Sequence, residues 1–172
     1  MRSFDEVCRE AGSDKWLCGY GPLYEAYVFP YVRRDEPVRI LEFGVHNGAS
    51  MRLWEELYPQ AQIVGLDIEP RCIEYASERT RIVIGSQTNE ALLRGLGDFD
   101  LVVDDCSHHV DDIVASFGIL WPKTKAVYVV EDIFAEHLGH VVAAVDAQAA
   151  PQIVCASSFP NRHILFARRP LS

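Results

Sequence analysis

The sequence predicts an open, doubly wound α/β sheet, mainly parallel and seven-stranded, closed at one edge by an antiparallel hairpin. Three observations predict it. Short apolar runs alternate with helix-like stretches along the chain, the pattern of βα units. The runs are apolar nearly throughout rather than at every second residue, as expected for parallel strands covered on both faces. The intervals between them accommodate crossover helices until the last, which is too short for a parallel return.

The elements follow in order. Residues 3–34 look helical and concentrate Trp16, Tyr20, Tyr24, Tyr27, Phe29 and Tyr31. Packing on the sheet is the first expectation for so many aromatics, and a lid over the ligand edge is the second. Strands are expected at 38–43 (VRILEF), 62–67 (QIVGLD), 81–85 (RIVIG), 99–104 (FDLVVD) and 126–132 (AVYVVED). Helices are expected near 49–58, 71–79, 89–96, 110–120 and 134–149. Residues 152–158 and 163–168 read as two further strands joined by a tight turn. The chain is expected to form one domain over 1–172, with a helical segment at 1–36 and a Rossmann-like core at 37–172.

Composition narrows the function. A 172-residue chain can bury roughly 70% of its unfolded surface without disulfides. The five cysteines, Cys8, Cys18, Cys72, Cys106 and Cys155, are scattered without a C-x-x-C pair, which argues against a disulfide framework and a structural zinc site. The net charge of −9 comes with no basic stripe, so nucleic acid is a poor partner and a small-molecule acceptor a better one. No run is long enough to span a membrane. The first residues, MRSFDEVCREAG, lack the apolar stretch of a signal peptide, so a cytoplasmic location is expected.

The stretch ILEFGVHNGAS places Glu42, Gly44 and Gly48 where the first strand turns into the first core helix. Gly44 suits a sharp turn, and Gly48 suits close approach of a ligand at a helix start. The dinucleotide pattern G-x-G-x-x-G fails, because Val45 fills its middle glycine, and no lysine follows Gly48 to make a phosphate loop. What remains is E-x-G-x-x-x-G, the pattern that S-adenosylmethionine-dependent methyltransferases use; a glycine turn made only for packing is the alternative. Asp67, about 20 residues on, ends the second strand where a carboxylate can accept from ribose hydroxyls. Ser86 and Gln87 end the third, with Gln87 placed to reach an adenine edge. A nicotinamide-dependent oxidoreductase on a similar sheet is disfavoured by Val45.

The fourth strand ends in Asp104-Asp105 and the fifth in Glu131-Asp132. Adjacent strands lie about 4.8 Å apart, so these four carboxylates converge at the carboxyl edge and need neutralising. Magnesium is the natural candidate for an all-oxygen set. Helix capping by Ser107 or Asp111 is the alternative, and it does not account for four acids on two strand ends. His108 is placed to take a proton from a metal-polarised hydroxyl; His109 has no assigned role.

The segments GSDKW, GYGPLYEAY, ILEFGVHNGAS, GSQ, FDLVVDDCSHH and YVVEDI together resemble bacterial macrolide-tailoring sugar O-methyltransferases over about residues 12–133. The resemblance implies a class I methyltransferase fold, an O-methyltransferase activity with S-adenosyl-L-methionine and Mg2+, and a small-molecule hydroxyl acceptor such as a natural-product sugar. It implies metal ligation by Asp105, Glu131 and Asp132 and a general base at His108. Glu42, Gly44, Gly48, Asp67, Ser86, Gln87 and Asp104 fall on the cofactor side, and a homo-oligomer is compatible with it. The sequence departs from the pattern at Cys106, where the family has glycine, at Ser86 and Asn89, where it has acids, and at Cys18, where it has histidine. A methyltransferase-like module that binds the cofactor without acceptor chemistry is the second reading.

Overall fold

The structure, a computed structural model, describes residues 2–148, 152–157 and 161–169. Seven strands form one sheet: β1 Arg39–Phe43, β2 Gln62–Asp67, β3 Thr80–Ile84, β4 Phe99–Asp104, β5 Thr124–Phe134, β6 Gln152–Ser157 and β7 Arg162–Arg168. Their order is β3-β2-β1-β4-β5-β7-β6. Strands β1 to β5 are parallel, and β7 pairs antiparallel with both β5 and β6. The expected doubly wound sheet and closing hairpin are therefore present, with part of the hairpin turn outside the described residues.

The strands are apolar throughout because both faces are covered. Ile40, Ile63, Leu101, Val103, Val127 and Val129 face one buried cluster, while Leu41, Phe43, Leu66, Val102, Tyr128 and Val130 face the other. Helices α1 Phe4–Ala11, α2 Gly21–Tyr27 and α3 Ala49–Leu57 belong to the first side; α4 Glu90–Gly95, α5 Val110–Leu120 and α6 Leu138–Asp146 belong to the second.

The N-terminal segment contains two short helices rather than continuous helix. The first is closed at its start by a capping box between Ser3 and Glu6 and ended by Gly12 in the left-handed conformation. Its aromatics pack as expected: Phe4 stacks on Tyr24 with ring centroids 4.8 Å apart, and Tyr24 meets Trp54 at 5.6 Å and Phe166 at 5.9 Å. The helix expected at 71–79 is instead a 3-10 helix, Pro70–Tyr75. It buries Cys72 and leaves Ile73 exposed, so it has no continuous apolar face to sustain further α-helical turns. Helix α6 is shorter than the expected 134–149, because β5 continues to Phe134 and a turn follows; residue 149 and residue 158 of the next predicted strand lie outside the described residues.

Register brings the acidic strand ends together. Phe43 pairs with Asp104 and Asp104 with Val130, so residues 105 and 131 are neighbours just past the ladder. The β5–β7 register shifts between Val130 and Ile133, a bulge spanning Glu131 and Asp132. Asp132 there has φ +54°, which turns its side chain off the regular strand alternation.

Candidate active site

A cleft of about 510 Å3 opens at the carboxyl ends of β1, β2, β4 and β5. It is lined at one end by Gly44, Val45, His46, Asp67 and Ile68, and at the other by Lys15, Tyr20, Asp105, Cys106, Glu131 and Asp132. This is where a doubly wound sheet holds its ligands, at the switch in strand order between β1 and β4. Both glycines of the first loop have positive φ, +90° at Gly44 and +70° at Gly48. A Cβ on Gly44 would overlap the Asp105 carbonyl oxygen, and one on Gly48 would overlap the Tyr75 ring. Close packing of the loop on β4 and on the 3-10 helix therefore requires glycine before any ligand is considered. Gly44→Ala is expected to cost roughly 1–3 kcal/mol from backbone strain alone, with the overlap added, read as a lowered urea midpoint.

Asp67 closes this end. Its Oδ2 accepts the backbone N–H groups of Val45 at 2.8 Å and His46 at 3.0 Å, and its Oδ1 accepts that of Glu69 at 2.9 Å. Burial works to raise its pKa, yet these donors together hold the carboxyl below its usual range. The side chain thus ties the glycine loop to β2 and still faces the cleft.

The acidic end holds a cation that sequence reasoning missed. Lys15 is 3% exposed, and its Nζ lies 2.8 Å from Asp105 Oδ2, 3.2 Å from Glu42 Oε1, and in contact with Glu131 Oε2. Tyr24 OH donates to Glu131 Oε1 at 2.5 Å, and Trp54 Nε1 donates to Glu42 Oε2. Burial opposes the charge on Lys15, but Asp105, Glu131 and Glu42 outweigh it and raise its pKa well above the usual value. Burial raises the pKa of Glu42 and raises that of Glu131 strongly. Asp105 is lowered: against burial, the Lys15 charge wins. One ammonium serves three carboxyl groups.

The predicted residues sort accordingly. Asp105, His108 and Asp132 are brought together, each offering a ligand atom within 4.8 Å of the others and each partly exposed. Asp132 is steadied by the Tyr20 hydroxyl, which bonds its Oδ1 and accepts its backbone N–H, and by Arg162, which donates to its carbonyl at 3.3 Å. Glu131, expected as a third metal ligand, has its oxygens on Lys15 and Tyr24, and His108 stands in the group instead. Glu42, expected on the cofactor side, is fully buried under Lys15 and Trp54. Gln87 and Asp104, also expected there, are 3% and 2% exposed and bond to each other rather than lining the cleft. Ser86 pairs with Thr88 at 2.8 Å outside the lining. Glu42, Gln87, Asp104 and Glu131 share one feature: each polar side chain at a strand end has a buried partner within reach.

Cys106 lines the cleft, and burial pushes its thiol pKa up to about 12. Its φ is not positive; the left-handed turn of this loop falls at His108, φ +58°. A glycine is not required at position 106, so the departure from the family pattern carries no backbone strain.

The sheet order, the crevice and the glycine loop define a Rossmann-like methyltransferase fold of class I. Within that class the chain resembles sugar O-methyltransferases of antibiotic tailoring. It is 33% identical over 136 residues to 8-demethyl-8-α-L-rhamnosyl tetracenomycin-C 2'-O-methyltransferase of Streptomyces olivaceus, covering 71% of this chain and 35% of that one. It is 34% identical over 139 residues to demethylmacrocin O-methyltransferase of Streptomyces fradiae, covering 72% and 34%. MycE methyltransferase from the mycinamycin biosynthetic pathway, in complex with Mg, SAH and mycinamycin VI, superimposes with TM-score 0.79 and 26% identity over 97% of this chain and 55% of that chain. The chain thus spans about a third of the length of these curated relatives. It matches no family model. Among the described residues no helix is long and apolar enough to cross a membrane.

Proposed function

We propose that the chain is an S-adenosylmethionine-dependent, magnesium-assisted O-methyltransferase acting on a hydroxyl of a small molecule, a natural-product sugar. One observation carries this reading: a single cleft is lined at one end by the glycine loop with Asp67 and at the other by Asp105 and Asp132. Its volume falls within the range of ordinary ligand sites. Asp105 and Asp132 offer two hard carboxylates around one point, a donor set that fits Mg2+, and His108 stands within reach of both. The activities named for the relatives support the chemistry, and the Mg and SAH in the MycE complex support the cofactors.

When bound, the donor supplies an electrophilic methyl group and the cation acidifies a coordinated hydroxyl. Gly44, Gly48 and Asp67 seat the methionine and ribose portions. Asp105 and Asp132 hold the cation, with Glu131 supporting Asp105 from the interior through Lys15. His108 removes the hydroxyl proton, and the cleft orients acceptor and donor for in-line displacement, where positioning supplies much of the acceleration. We place the protein in the cytoplasm on its five free thiols. The family resemblance supports a homo-oligomer, to be read by sedimentation.

Calorimetric titration of S-adenosylhomocysteine tests the first half, with Asp67→Ala expected to weaken binding at least tenfold. Methyl transfer from S-adenosylmethionine to a rhamnosylated polyketide, dependent on Mg2+ and abolished by a chelator, tests the second. Cofactor binding without any Mg2+ binding would favour the non-catalytic module instead.

A further inference from the structure

Gln87 stands just beyond β3, at the rim where an adenine contact was expected, but its side chain turns into the protein. Its Nε2 lies 3.4 Å from both carboxylate oxygens of Asp104, and its Oε1 accepts the Ser107 backbone N–H at 3.1 Å. A primary amide suits this place, because one end donates to an acid while the other accepts from a backbone amide. Asp104 is itself fixed, accepting from Ser116 Oγ of α5 at 2.8 Å and from Tyr128 OH of β5 at 3.2 Å. The link therefore runs from the interior of two elements, through Gln87, to the loop that follows β4.

That loop carries Asp105 and His108, with Ser107 between them. Its first amide, Asp105 N–H, is tied to the Phe43 carbonyl at 3.2 Å. Two residues on, Ser107 N–H is tied to Gln87, and His109 N–H is bonded within the loop to Ser107 Oγ at 3.3 Å. His108 adopts φ +58°, a conformation that costs a non-glycine residue free energy and persists only where its surroundings impose it. The Gln87 contact at the preceding residue is such an imposition.

We propose that Gln87, anchored by Asp104, is a positioning residue that sets the Asp105–His108 loop, and that it makes no contact with the cofactor's adenine. This deepens the proposed function, since it rests on Asp105 as a cation ligand and His108 as the base. It assigns Gln87 to the acceptor half of the site, across the sheet from the place its sequence position suggests.

Gln87→Met keeps the length of the side chain and removes both hydrogen bonds. In that variant the affinity for S-adenosylhomocysteine should stay within threefold of wild type. Mg2+ affinity of the S-adenosylhomocysteine-loaded protein should fall roughly tenfold, the lower end of the effect of removing a group that orients a metal ligand. The Ser107 amide, followed by NMR, should exchange with solvent at least tenfold faster than in wild type. A tenfold loss of S-adenosylhomocysteine affinity, or an unchanged Ser107 exchange rate, overturns the proposal. In wild type without cofactor, that amide should already be protected; exchange at the rate of an unstructured peptide overturns it too, even if the variant does not fold. Wild type that binds S-adenosylhomocysteine but no Mg2+ would instead refute the cation reading of Asp105 and Asp132, with the amide exchange still deciding on Gln87.

Discussion

Replacing Lys15 with methionine is expected to lower the unfolding free energy by about 3–5 kcal/mol, the usual cost of removing one partner from a buried ion pair. The methionine fills nearly the same space, so lost packing contributes little and the charge decides the result. Without the ammonium, Asp105 loses a hydrogen bond and Glu131 another, and Glu42 keeps an oxygen that has no hydrogen-bond partner. Three carboxyl groups would remain within reach of one point, two of them fully buried. Urea unfolding of wild type and variant measures the loss. Glu131→Gln is the informative contrast. Glu131 shares the ammonium with Asp105 and Glu42 and also accepts from Tyr24, so a neutral amide in its place is expected to cost less than loss of the ammonium itself. Equal losses in the two variants would show that Glu131 alone accounts for the stabilisation by Lys15, contrary to an ammonium shared with Asp105 and Glu42.

Lys15 also shows where sequence reasoning stops. Parallel strands must be apolar until they leave the ladder, so "LVVDD" announces the end of β4 and "VVED" the point where β5 leaves β4, although β5 runs on to Phe134 against β7. Convergence of their acids followed from strand spacing alone, and so did the need for something to neutralise them. Magnesium was expected in that role; the lysine beside it was not. Lys15 is 90 residues from Asp105 and 116 from Glu131, in a segment whose aromatics signal packing and nothing more. A signal was nonetheless present. Lys15 is one of three lysines among sixteen basic residues, and the other two, Lys123 and Lys125, sit at the opposite end of β5. The buried partners of Gln87 and Glu42 were hidden for a different reason. Position along a strand says that a side chain stands near the carboxyl edge, but not whether it faces the cleft or a buried partner one residue deeper. The shape of the 105–109 loop was likewise hidden, because its left-handed residue is a histidine and not a glycine, and the modest preference of histidine for that region does not choose between His108 and His109.

His108→Ala is expected to lower turnover by 10²–10⁴-fold, the range over which a positioned general base acts, with S-adenosylhomocysteine affinity unchanged. The geometry leaves His108 two possible jobs, and this variant separates them. The imidazole belongs to the group whose ligand atoms lie within 4.8 Å of one another, so it could ligate the cation beside Asp105 and Asp132. A ligand nitrogen would make the site prefer a transition metal to magnesium, and its removal would weaken cation binding and turnover together. A base works differently. It needs to reach the acceptor hydroxyl, not the ion, and its loss should leave Mg2+ affinity within about threefold while the rate collapses. Glu131 bears on the same choice. If binding of the ion draws Glu131 away from Lys15 to complete an all-oxygen shell, His108 is released for proton transfer, and Glu131→Gln should then weaken Mg2+ while His108→Ala does not. The opposite pattern, with Mg2+ lost in His108→Ala and kept in Glu131→Gln, would assign His108 to the metal and leave the base to be found elsewhere in the cleft.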